Sequence, residues 1–249
     1  MSQRLNSAVA TLLLATGCAG ASAAMAADGG EARFRDILKE LVETNTTLSA
    51  GDCTLAAQRM AARLRAAGYP ESDLRVFVPE GHPKEGGLLA VLHGTNPKAR
   101  AILMLAHVDV VEARREDWTR DPFTLVEEGG YFYARGVADM KTEAAIWVDN
   151  LIRYREEGFR PPRTVKLALT CGEETSGALN GAGWLAEHAR SDIDAALAIT
   201  EGVDGDLDAE GRRVMLGILA AEKLSQNYRF EVTNPGGHSS RPIPFSKKG

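Results

Sequence analysis

Four segments of this chain carry apolar residues up to a histidine or a carboxylate. They are Ala101-Ile-Leu-Met-Leu-Ala-His107-Val-Asp109, Tyr131-Phe-Tyr-Ala-Arg-Gly-Val-Ala-Asp139-Met-Lys141, Val165-Lys-Leu-Ala-Leu-Thr-Cys-Gly-Glu173-Glu174 and Ala195-Ala-Leu-Ala-Ile-Thr-Glu201-Gly202. Continuous apolar runs of this length read as strands covered on both faces. Open α/β sheets gather their ligands outside the carboxyl ends of such strands. One histidine and several carboxylates brought to a common edge form an oxygen- and nitrogen-donor set for a metal ion.

Each cluster alone has an ordinary explanation. His107-Val-Asp109 is readable as a hydrogen-bonded structural pair, and Asp139 as a helix N-cap. Glu173-Glu174 is readable as a solvated helix start favoured by the macrodipole, and Glu201-Gly202 as a turn. These explanations would have to coincide four times, each time at a strand's end.

The rest of the chain supplies the helices. Phe34, Ile37, Leu38, Leu41 and Val42 recur at helical spacing and predict a helix over Glu31–Thr44. Ala57, Met60, Ala61 and Leu64 predict a second, opening near Asp52 and stopping at Gly68. Strands are expected at Leu74–Val78, Leu88–His93, Ala101–Ala106, Val165–Thr170 and Ala195–Ile199. A hairpin is expected from Phe123–Val126 and Tyr131–Ala134, beyond a charged loop over Glu112–Asp121. A long helix is expected from Asp139 to about Glu157, and another over Asn180–Ala189. Alternating strands and helices imply an α/β fold, a mixed and mostly parallel sheet with helices on both faces. Leu224–Thr233 reads as one further strand, before Asn234-Pro-Gly-Gly-His238-Ser-Ser.

The chain has 249 residues and a formal net charge of −5, which disfavours a nucleic-acid footprint. Residues 1–27 combine one charge, Arg4, with an apolar stretch around Ala8–Ala15 and small residues after Gly17. They read as a signal peptide, too short to span a bilayer, and predict a periplasmic or secreted protein. A disordered Ala-rich leader and a lipoprotein anchored through Cys18 are the alternatives. Pairing of Cys53 with Cys171 is open. Cys171 beside Glu173 has no base assigned to it by sequence and reads as a buried structural thiol.

The ordered set His107-x-Asp109, Arg135-Gly-x-x-Asp139-Met-Lys141, Gly172-Glu173-Glu174, Glu201-Gly202 and Gly236-Gly-His238-Ser-Ser resembles the M20 family of di-zinc metallopeptidases, which includes carboxypeptidases, desuccinylases and aminoacylases. Trp118, Asp121-Pro-Phe123 and Ala221-Glu-Lys223 agree with its carboxypeptidase and aminoacylase branch. The resemblance implies hydrolysis of an amide bond next to a free carboxylate, in a small peptide or an N-acyl amino acid. It implies two Zn2+ per site, with Co2+ or Mn2+ as substitutes, and a homodimer when full length. His107, Asp139 and Glu201 would hold one ion, and Asp139 and Glu174 the other. Asp109 would orient His107, and Glu173 would be the general base. His238 would stabilise the oxyanion, and the Asp139–Met140 peptide would be cis.

Three segments are expected: the signal peptide over 1–27, and, as the resemblance implies, an incomplete catalytic domain over 28–222 and the start of a truncated α+β lid or dimerisation domain over 223–249. The family's second-site histidine would lie beyond residue 249. The chain is accordingly expected to be a fragment, a frameshifted product or a partial gene model, and an inactive remnant is the alternative to a working hydrolase.

Overall fold

The computed structural model describes residues 19–175, 179–202, 205–217, 226 and 228–231, with side chains from Gly30 onward. The chain divides into two compact units, Met1–Glu201 and Gly202–Gly249.

In the first unit, helix α1 (Ala19–Val42) buries Ile37, Leu38, Leu41 and Val42 completely, the stripe expected of an amphipathic helix. Helix α2 (Cys53–Ala66) opens where Asp52 accepts the Leu55 N–H at 2.8 Å, an N-cap that satisfies an orphan donor. It ends before Gly68, whose φ of 91° reverses the chain. Strands β1 (Leu74–Phe77), β2 (Gly87–Leu92) and β3 (Ile102–His107) follow. A small hairpin, β4 (Val126–Glu128) with β5 (Tyr131–Tyr133), leads into a wide turn over Val137–Lys141. Next come α3 (Thr142–Glu156), β6 (Val165–Thr170), α4 (Gly181–His188), α5 (Arg190–Ile193) and β7 (Leu197–Ile199).

The main sheet has the order β1-β2-β6-β3-β7. β1–β2 and β2–β6 pair antiparallel, whereas β6–β3 and β3–β7 pair parallel. The sheet is therefore mixed in equal parts, and its parallel half carries the ends of interest. His107 sits opposite Thr170, so β3 and β6 stop level with each other.

Side-chain alternation sends the two faces of each strand into separate cores. Met104, Ala106, Leu167 and Leu169 pack with α1, α2 and α3, while Leu103 and Ala168 face α4 through Leu185. Both faces thus carry helices.

Two local expectations change. Regular helix begins at Thr142 and not at Asp139, because Asp139 (φ −142°, ψ 105°) and Met140 (φ −127°, ψ 33°) lie outside helical space. The Asp139–Met140 peptide is cis. The first hairpin strand runs over Val126–Glu128 and not Phe123–Val126, since Asp121 accepts the Phe123 N–H and holds that stretch in a turn.

The second unit contains a hairpin absent from the sequence reading, β8 (Gly205–Leu207) with β9 (Arg213–Leu216). Asp208 accepts the backbone N–H groups of Glu210 and Arg212 at 3.0 and 2.9 Å and closes its turn. Of the strand expected over 224–233, Gln226 and Tyr228–Glu231 have no strand structure, and the other residues lie outside the described ones. His238, Ala221-Glu-Lys223, Cys18 and the first eighteen residues of the expected signal peptide also lie outside them. Among the described residues no helix is long and apolar enough to cross a membrane.

Candidate metal centre

The parallel half of the sheet brings three chain segments to one edge. β3 delivers His107 as its last residue, while β6 is followed by Glu173-Glu174 and β7 by Glu201. The wide turn before α3 adds Asp139.

His107 is 3% exposed. Its Nδ1 lies 3.1 Å from the backbone oxygen of Asp109. A carbonyl oxygen only accepts, so the proton is on Nδ1. This directs Nε2 outward, 3.1 Å from Asp139 Oδ1, 3.2 Å from Glu201 Oε1 and 3.9 Å from Glu173 Oε2. Ligand atoms of His107, Glu173 and Glu201 all lie within 4.8 Å of one another. A pocket of about 60 Å³ lies beside these three residues.

The charges show what the group is suited to hold. Burial lowers the His107 pKa, but the buried Asp109 and the neighbouring Glu201 outweigh it and lift it to about 9. Burial and then the Asp139 carboxylate push Glu174 up. Burial also pushes Glu201 up, against the pull of His107 and together with Asp139 and Glu173. Carboxylates that raise one another's pKa share a need for positive charge. One imidazole nitrogen facing several carboxylate oxygens is a donor set that fits a divalent cation.

Asp109 does more than sequence suggests. It is 3% exposed, and its two oxygens accept the backbone N–H groups of Glu173 at 3.3 Å and Glu174 at 3.0 Å. Its Oδ1 lies 3.5 Å from His107 Nδ1. Burial would raise its pKa, but His107 and the Glu174 amide hold it below the ordinary carboxylate value. One carboxylate therefore fixes both the imidazole and the turn that carries the two glutamates. That turn needs Gly172, whose φ is 89° and whose added Cβ would meet Leu179 O at 1.6 Å.

Sequence reasoning assigned His107, Asp139, Glu174 and Glu201 as ligands and Glu173 as base. The structure gathers His107, Asp139, Glu173 and Glu201. Glu174 is on the same turn, held by its backbone, and it is not in the close His107–Glu173–Glu201 group. His238 lies outside the described residues.

Three supporting features went unassigned. Lys141 is fully buried and donates from Nζ to Leu41 O and Thr44 O, both at 2.9 Å, tying the Asp139 turn to the C-terminal end of α1. Met140 is buried, with Sδ 3.3 Å from the His107 backbone nitrogen. Cys53 and Cys171 form a disulfide across 118 residues, so Cys171 is not a free thiol. Its signal was available only as two cysteines of unknown distance.

Residues 103–246 match the model of peptidase family M20/M25/M40. The chain is 35% identical over 178 residues to a probable succinyl-diaminopimelate desuccinylase of Staphylococcus aureus, covering 71% of this chain and 40% of that one. It is 32% identical over 149 residues to aminoacylase-1 of Homo sapiens, covering 59% and 35%. The chain thus spans well under half the length of these relatives. Among solved structures, an M20 family metallo-carboxypeptidase from Sulfolobus solfataricus matches with a TM-score of 0.58 at 22% identity, covering 72% of this chain and 39% of that one. Human carnosine dipeptidase 1 matches with a TM-score of 0.56 at 23% identity, covering 70% and 39%. These two share the fold.

Proposed function

Since this chain belongs to peptidase family M20/M25/M40, we propose that it carries the catalytic half of a metal-dependent amidohydrolase. The enzyme cleaves an amide bond next to a free carboxylate, in a small peptide or an N-acyl amino acid. The observation that carries this reading is His107 Nε2 facing the carboxylates of Asp139, Glu201 and Glu173 at the strand ends.

His107, Asp139 and Glu201 would hold a divalent ion, with zinc the expected metal, and Glu174 with Asp139 would serve a second. Such an ion supplies Lewis acidity that polarises the scissile carbonyl and acidifies water. Glu173, whose side chain is 57% exposed, faces the solvent side of the group and is placed to meet substrate. It takes the proton of the attacking water and passes it to the departing amine. Asp109 keeps His107 in the tautomer that presents Nε2, through its own backbone carbonyl. His238 is proposed to stabilise the oxyanion, and the second unit is proposed to begin a lid or dimerisation domain. The buried disulfide supports an oxidising compartment, periplasmic or secreted.

The test is a panel of N-acyl amino acids and short peptides, offered to the chelated chain with and without added zinc. Zinc-dependent release of amine, abolished in His107→Ala, is the expected result. Metal-independent turnover, or no zinc binding by the parent chain, refutes the reading.

A further inference from the structure

The Glu173-Glu174 turn is held from two sides. On one side are the Asp109 carboxylate and the two amides it accepts. On the other is the bond from Cys171, the residue before Gly172, to Cys53.

Cys53 is the first residue of α2 and is itself fixed. Its N–H donates to Lys84 O at 2.8 Å, and Asp52 caps the same helix end. Cys171 accepts the Gly181 N–H at 2.7 Å, so the turn closes back on the start of α4. β6 ends at Thr170, and its partner strand β2 pairs no further than Leu169. Among the described residues the strand pairing of β6 ends at Thr170, and the half-cystine follows one residue later. Both sulfur-bearing residues are buried, 2% and 5% exposed. A cavity of about 200 Å³, lined by Asp109, Gly172 and both half-cystines, separates the turn from the Thr46–Gly51 loop. The covalent bond between the two half-cystines lies in the wall of that cavity.

We propose that Cys53 and Cys171 are positioning residues: their disulfide holds the Gly172–Glu174 turn so that Asp109 can fix the two glutamates beside His107. This rests on the function proposed above only for its metal readout. Without the bond, the turn is left to the Asp109 carboxylate and the Gly181 N–H on Cys171 O, and Glu173 and Glu174 sample positions away from His107.

The test compares the oxidised chain with the Cys53→Ala/Cys171→Ala chain. The parent reduced by a dithiol serves as a second route, since it alters no residue. There the S–S bond breaks, two thiols form, and the reductant closes to its own disulfide. Hydrogen exchange of residues 172–174 is read against that of β6 and α2, and cobalt(II) affinity is read by chelator competition.

Exchange in 172–174 should quicken at least about tenfold while β6 and α2 stay protected, and cobalt affinity should fall about tenfold. Equal exchange in all states overturns the proposal. So does a uniform rise across β6 and α2, which would make the bond a staple of the whole fold. An oxidised chain that binds no cobalt sinks the proposed function, while the exchange data still judge the disulfide.

Discussion

Replacing Asp109 with Asn tests how the candidate site is held together. The two side chains have the same shape, so the change removes a charge without opening a cavity. In the parent chain the carboxylate accepts two backbone N–H groups and faces His107 Nδ1 at 3.5 Å, at 3% exposure. An Asn can offer only one oxygen, so its NH2 must face an amide donor or the imidazole N–H. Hydrogen bonds to a buried charge contribute about 1.5–3 kcal/mol each, and removing one partner of a buried ionic pair costs about 3–5 kcal/mol. The expected loss is therefore about 3–5 kcal/mol. In a domain of this size that lowers Tm by roughly 6–20 °C. The pH dependence has a definite sign. The folded Asp109 pKa lies below its ordinary value of 3.8, so its contribution is present above that value and is lost as pH falls. Asp109→Asn should flatten that acid limb. Asp139→Asn is the control, because the Asp139 side chain is 58% exposed, and its loss should cost under about 1 kcal/mol. Melting curves from pH 3 to 7 decide the matter. An Asp109→Asn chain melting within about 2 °C of the parent would refute the two-sided role of this carboxylate.

Other perturbations report on separate parts of the fold and site. Tyr69 is 3% exposed and donates to Leu151 O at 2.9 Å, and burial pushes its pKa up to about 12. The folded state therefore keeps a proton that the unfolded chain loses near pH 10, and about 3 kcal/mol of stability should disappear between pH 10 and 12. Denaturant titrations of Tyr69→Phe should lack that difference; an identical alkaline slope in both chains would contradict it. Gly172→Ala forces a Cβ to 1.6 Å from Leu179 O at a φ of 89°, which should cost on the order of 3 kcal/mol or displace the turn. A variant with unchanged melting and unchanged zinc binding would show that the turn has room after all. Under the proposed mechanism, Glu173→Gln should keep zinc and lose about 10²–10⁴-fold in kcat, whereas Glu174→Gln should lose zinc. Equal loss of metal in both would reverse the assignment of roles.

The sheet was legible because its strands are apolar on both sides. Ile102–His107 and Val165–Thr170 carry no competing helical period, and both formed where the runs stand. The stripe Ile37, Leu38, Leu41 and Val42 was legible for the matching reason in a helix. What escaped depended on backbone geometry or on distant partners. Asp139 and Met140 look like a helix start, yet their dihedrals make a separate turn that Lys141 anchors to α1, a hundred residues earlier in the chain. No local pattern records that contact. The site's donors were visible as residue types at strand ends. Which glutamate points at His107 was not, because that depends on a glycine at positive φ and a carboxylate sixty-four residues away. The hairpin Gly205–Leu216 was missed because its strands are short and wholly exposed.

The bond between Cys53 and Cys171 also makes a closed ring of the chain between them. Inside that ring lie His107, Asp109 and Asp139, together with the exposed charged stretch that includes Arg114 and Arg115. A protease that cuts after either arginine would therefore cleave the polypeptide without separating it. The two pieces would migrate as one species until a reducing agent released them, and the three residues would stay on the same covalent assembly after the backbone had been broken.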